Sequence, residues 1–137
     1  MISSSEEMEN KGIKINLKND NHICILVSPS FKHAYATLKN NTELSTILEI
    51  HLVFEAFVYT LVELAQEKED HSNKEWYRLF VQALETIGET IDNFKTKAMD
   101  DHNVDMSYIF EIAQEMINNS LETSVISIKE SEVKYDN

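Results

Sequence analysis

The chain has 137 residues, with 12 Lys+Arg against 24 Asp+Glu, one Cys, one Pro and two Gly. Hydrophobic residues at 42% and charged residues at 26% exclude wholesale disorder, a collagen-like repeat and a disulfide scaffold, and the length allows one domain with a packed core. Residues 1–42 hold five basic and four acidic side chains whereas residues 43–137 hold seven and twenty, so the acidic excess counts against direct binding to nucleic acid or to an anionic membrane and permits a basic protein partner.

Residues 1–12 are rich in Ser and Glu and carry neither a basic nor an apolar block, which reads as a disordered lead-in and not a secretory signal. Ile13, Ile15 and Leu17 alternate with Lys14, Asn16 and Lys18. After Asn19-Asp20-Asn21 comes an apolar run from Ile23 to Val27, and the pattern predicts a β-hairpin over 13–27 with the second strand buried on both faces. Two strands alone are marginal in water, so the hairpin must lean on helices, a third strand or another chain. Ser28-Pro29 supplies an N-cap and a first-turn proline for a short helix over about 29–39, with Phe31, Tyr35 and Leu38 on one face.

Asn40-Asn41-Thr42 breaks that helix, and Thr42 is placed to cap a long one over about 43–69. Leu44, Ile47, Leu48, His51, Glu55, Val58, Leu61 and Ala65 form one stripe. Ile50, Val53, Phe54, Phe57 and Leu64 cover much of the rest, leaving a narrow polar strip through Ser45, Glu49, Thr60, Glu63 and Glu67. A helix apolar on so many sides is expected at the centre of a bundle, or against a second copy of the chain. Ser72-Asn73-Lys74-Glu75 matches a capping box, and Trp76, Phe80, Ala83, Leu84, Ile87, Ile91 and Phe94 recur at helical spacing over 73–98. Gly88 either bends that helix or ends it and lets a second short one follow. A polar connection precedes a helix over about 107–119 that is expected to bury Ile109, Phe110, Ala113, Met116 and Ile117. Residues 121–128 fit a helical stripe and a short C-terminal strand equally, and residues 129–137 read as a flexible tail. The expected fold is α+β, mainly α: a single globular domain over 13–128, with an N-terminal β-hairpin and about four helices, one long and central.

No motif fixes a reaction. His51 and Glu55 stand one helical turn apart but lack the companion motif a di-metal bundle requires. Asp101-His102-Asn103-Val104-Asp105 begins like a calcium loop, then places Met106 where glycine is needed and Ile112 where a bidentate carboxylate is needed. It reads instead as a polar loop in which Asp105 or Ser107 caps the next helix. Glu89 to Asp92 supplies half of a paired helical magnesium site, but Glu63 and Glu67 on the preceding helix have the wrong spacing for the other half. With Gly12 and Gly88 the only glycines, no phosphate-cradling loop can form. Cys24 has no disulfide partner within the chain, which suits a reducing, cytoplasmic compartment.

No cofactor and no metal is expected. The chain is expected to be a non-catalytic, small acidic protein that acts by binding another protein, as an accessory subunit or an inhibitor of a larger complex. Two surfaces qualify: the hairpin edge with Ile13, Ile15 and Leu17, which could add a strand to a partner sheet, and the acidic array Glu85, Glu89, Asp92, Asp100 and Asp101, which could imitate a nucleic-acid backbone. A metal-dependent hydrolase built on helical His and carboxylate groups is the competing class.

Overall fold

A computed structural model describes residues 13–38, 40–119 and 126–130. The expected lead-in and residues 131–137 of the expected tail lie outside the described residues. Strands β1 (Ile13–Asn16) and β2 (Ile23–Val27) form the expected antiparallel hairpin, with Ile15 opposite Ile25. The Asn19 side chain accepts the Asn21 and His22 amides at 2.8 and 3.0 Å and so organises the turn. The ambiguous C-terminal segment is a strand from Ile126. This β5 (Ile126–Glu130) runs parallel to β2, with Ile128 opposite Ile25, and takes in Lys129 and Glu130 from the expected tail. The resulting order β1-β2-β5 puts β2 in the centre, which is why Ile23, Cys24, Ile25 and Val27 are all buried.

Helix α1 (Pro29–Leu38) begins as expected, with the Ser28 hydroxyl accepting the Phe31 amide at 3.1 Å. The long helix α2 (Thr42–Gln66) is capped by Asn41, not Thr42, through a 3.1 Å bond from the Leu44 amide to Asn41 Oδ1. It stops at Gln66, short of the expected Glu69, because Glu67 turns left-handed with φ 53° and returns its amide to the Glu63 carbonyl. Only its second half is central. Leu52, Ala56, Phe57, Leu61 and Leu64 enter the core, whereas Leu44, Ile47 and Ile50 in the first half are 44%, 62% and 49% exposed. Thr60, expected on the polar strip, is fully buried, and its hydroxyl donates to the Ala56 carbonyl at 2.7 Å. That local bond lets a polar residue sit on an apolar face without a desolvation penalty.

The expected capping box is not formed. Helix α3 (Glu75–Thr86) has Lys74 at its N-cap with no side-chain cap, and the Ser72 hydroxyl donates to Asp70 while Glu75 pairs with Arg78. The orphan amides of Glu75 and Trp76 instead reach the Asp20 carbonyl in the hairpin turn, at 2.7 and 3.4 Å. A backbone acceptor from the β1–β2 turn displaces the local solution, and with it the first turn of the helix.

The expected single helix over 73–98 is two helices, because Gly88 ends α3. With φ 88°, Gly88 donates its amide to Glu85 and the next amide, Glu89, reaches back to Leu84, both at 2.9 Å; these two bonds close a Schellman motif. Thr90 then caps α4 (Ile91–Ala98) by accepting the Asn93 amide. A Cβ added at Gly88 meets nothing within 4 Å, so Gly88→Ala carries only the backbone cost of a left-handed residue, about 1 kcal/mol. A fall in the urea midpoint with unchanged slope is the expected reading.

A two-residue hairpin that sequence reasoning missed follows α4, with β3 (Met99–Asp100) paired to β4 (Asn103–Val104). Asp101 and His102 at its turn both have positive φ, 49° and 74°. Asn-Gly or Asp-Gly is the usual signal for such a turn, and Asp-His hides it. Asp105, as expected for this loop, caps α5 (Met106–Asn118) by accepting the Tyr108 amide at 3.2 Å. The core joins α2, α3, α4 and α5 through Phe57, Trp76, Phe80, Leu84, Phe94, Ile109, Ala113 and Met116, with Phe57 packed edge-on to Phe80 at 5.7 Å. Phe110, expected in that core, points outward instead, and Ile112 takes a buried place.

Candidate functional site

The feature that stands out physically is an apolar face shared by α2 and α5. Helical spacing sets Leu44, Ile47, Ile50 and Phe54 along one side of α2 over about three turns. Phe54 is half-buried and its ring stacks on Phe110 of α5 at 6.1 Å, which joins the two helices across the surface. Met106, one turn before Phe110, extends the face; these two residues are 38% and 47% exposed. Large side chains left together in water mark interaction sites far more often than single exposed ones do. His51 and Glu55 lie on the same side of α2, joined at 3.1 Å, with side chains 61% and 45% exposed. They form an exposed pair, not the partly buried one that a central helix implies.

The two surfaces expected from sequence fare differently. At the hairpin edge, Leu17 is buried and Ile13 and Ile15 are half-buried against the core. Their side chains already serve the fold, so β1 can offer only its main chain. Of the acidic array, Glu85, Asp92, Asp100 and Asp101 are exposed, but the Glu89 side chain is only 12% exposed and accepts from Lys97 at 3.2 Å. Lys95 on the same helix reaches Glu67 at 3.2 Å. These two lysines break the continuity of negative charge that a phosphate mimic requires. The neighbouring Tyr108 stacks on Phe94 at 5.9 Å, and burial, followed by the Glu89 carboxylate, holds its hydroxyl in the un-ionised form well above the usual phenol range.

A cleft of about 210 Å³ lies where the end of α2 meets the connection to α3 and the flank of α4, lined by Glu67, Glu69, Asp70, His71, Tyr77 and Lys95 among others. His71 is 4% exposed, and its ring lies 5.3 Å from Trp76. Lys74 Nζ donates to the Leu17 carbonyl at 2.9 Å and stands 3.1 Å from His71 Nδ1. An ammonium can only donate, so Nδ1 accepts and the ring proton sits on Nε2, which has no hydrogen-bond partner among the described residues. Burial, and then the Lys74 charge, push the His71 pKa below its ordinary value. The sign of the consequence is fixed. Between the unfolded pKa of about 6.5 and the lowered folded one, the unfolded chain holds the extra proton, so stability is full above about pH 6.5 and falls as pH drops through that window. Urea midpoints measured from pH 7.5 to 5 should decline, and His71→Gln should flatten that decline.

No three His, Cys, Asp or Glu side chains converge in metal-holding geometry among the described residues, and no described helix is long and apolar enough to cross a membrane. The molecule is a mainly helical α+β protein with a three-stranded sheet and an exposed two-helix apolar face. Comparison with protein-family models, with curated proteins and with solved structures finds no match to this chain.

Proposed function

We propose that this chain is a non-catalytic binding protein, an accessory subunit or inhibitor of a larger assembly, and that it docks through the α2–α5 face. The observation that carries the reading is the exposure of Leu44, Ile47, Ile50, Met106 and Phe110 around the Phe54–Phe110 stack. Keeping that much apolar surface in water costs free energy and invites aggregation, a cost that covering it on binding would remove. The face lies at the far end of α2 from the cleft beside His71, so a partner could cover it without disturbing the buried polar cluster.

Affinity capture from native lysate with the full chain and with Ile47→Asp tests the proposal. Ile47 is among the most exposed side chains of the face, so the variant is expected to fold. A stoichiometric partner held by the parent chain at high salt and lost with Ile47→Asp supports docking through this face. Capture that is equal for the two chains, or absent for both, overturns it.

A further inference from the structure

The chemistry of the α2–α5 face narrows what can cover it. Neither α2 nor α5 contains a Lys or Arg, whereas α2 carries Glu43, Glu49, Glu55 and Glu63 and α5 carries Glu111 and Glu115. Glu43 and Glu55 fall on the same side of α2 as Ile47, and Glu111 is the exposed neighbour of Phe110. Within these two helices the apolar stripe is therefore flanked by side chains that are acidic wherever they are charged, apart from His51. We infer that its occupant is a basic amphipathic helix from a partner protein, with apolar residues one turn apart along one side and Lys or Arg along the flanks.

Three alternatives fit less well. A second copy would bring one acidic rim of Glu43, Glu55 and Glu111 against another, with no Lys or Arg from either pair of helices to offset them, and like charges brought together at an interface oppose association. An extended segment would lay its own amides and carbonyls on a helical surface whose backbone groups are already paired, leaving them unsatisfied, whereas a helix satisfies its backbone before it docks. An anionic lipid surface would meet the acidic rim head-on. The exposed stripe from Leu44 to Phe54 is about 15 Å long at the helical rise, so about three turns of partner helix cover it.

The inference rests on the docking proposed above, and its test separates the two. The probes are two synthetic 18-residue helices identical in their leucines, one with lysine and one with glutamate at every polar position, titrated against the full chain by fluorescence anisotropy. The lysine peptide is expected to bind at least about tenfold more tightly than the glutamate peptide, and to weaken as salt screens the rim. Ile47→Asp should reduce lysine-peptide affinity by about thirtyfold, the size of a central anchor loss. The triple change Glu43→Lys, Glu55→Lys and Glu111→Lys, which leaves every apolar residue in place, should reverse the preference; circular dichroism of both variants checks their folding. Equal binding of the two peptides, binding of neither, or a dimer of the full chain that Ile47→Asp dissociates would each overturn the inference. If the lysine peptide fails while lysate capture still depends on Ile47, docking through the face stands and the basic helix is the part that is wrong.

Discussion

Truncating Trp76 to alanine is expected to cost about 3–5 kcal/mol, a large share of the stability of a domain of this size. Trp76 is fully buried where three parts of the chain meet. Its amide is one of the two that reach the Asp20 carbonyl in the hairpin turn, its ring lies against His71 from the α2–α3 connection, and its helix carries Phe80 and Leu84 into the core. Removing the indole leaves a cavity that neither the turn nor the connection can close without breaking those bonds. Burial is also what depresses the His71 pKa. Trp76→Ala should therefore raise that pKa toward the ordinary histidine value, which an NMR titration of the ring would follow. Trp76→Phe separates volume from polarity. The indole Nε1 is buried with no hydrogen-bond partner among the described residues, so phenylalanine gives up packing but removes an unpaired donor, and it should cost well under half as much. A Phe variant as unstable as the Ala variant would mean that the indole nitrogen is satisfied.

Ile25→Asp is expected to abolish the folded state. Ile25 is fully buried in the central strand, opposite Ile15 on one side and Ile128 on the other. A carboxylate there has no partner to repay several kcal/mol of desolvation, whereas Ile25→Val should cost only about 0.5–1.5 kcal/mol. The neighbouring residue provides the readout. Cys24 is the only cysteine and is buried, so a thiol reagent should reach it in the parent chain only when the sheet opens, and at the rate of an unfolded peptide in the Asp variant. Rapid labelling of the parent chain would show that β2 is far less protected than its central position implies.

What could be read from the residues alone follows a physical line. The hairpin, the Ser28 and Asp105 caps and the core side of α3 rest on period and local hydrogen bonding, and all are present. The failures occur where distant parts of the chain compete. A capping box at Ser72 is sound local chemistry, but the Asp20 carbonyl more than fifty residues away takes the Glu75 amide that Ser72 would have capped, and the Ser72 amide goes to Asp70. An all-round apolar helix looks central, yet period cannot say that the core ends near Leu52 and leaves Leu44, Ile47 and Ile50 outside. The α2–α5 face is hidden from sequence for the same reason, because period alone places Leu44, Ile47, Ile50 and Phe110 in the interior. The signal was present in part, since Leu44, Ile47 and His51 lie on a stripe shared with Glu55, and a charged residue within an apolar stripe argues against burial. At the hairpin edge, strand alternation marks Ile13, Ile15 and Leu17 as a half-buried face without saying that the core already packs against it.

The parallel pairing of β5 with β2 bears on how the molecule comes together. Antiparallel neighbours can zip from a turn, but these two strands are separated in sequence by about a hundred residues, and closing a loop that long is entropically costly unless the intervening chain is already compact. The helices must therefore be largely assembled before the sheet can gain its third member. Because β5 follows α1 to α5 in the chain, β2 keeps one side unpaired while those helices form. During that interval the chain exposes a strand edge able to pair with another molecule, so the docking of β5 also closes the window in which the sheet is most prone to aggregate.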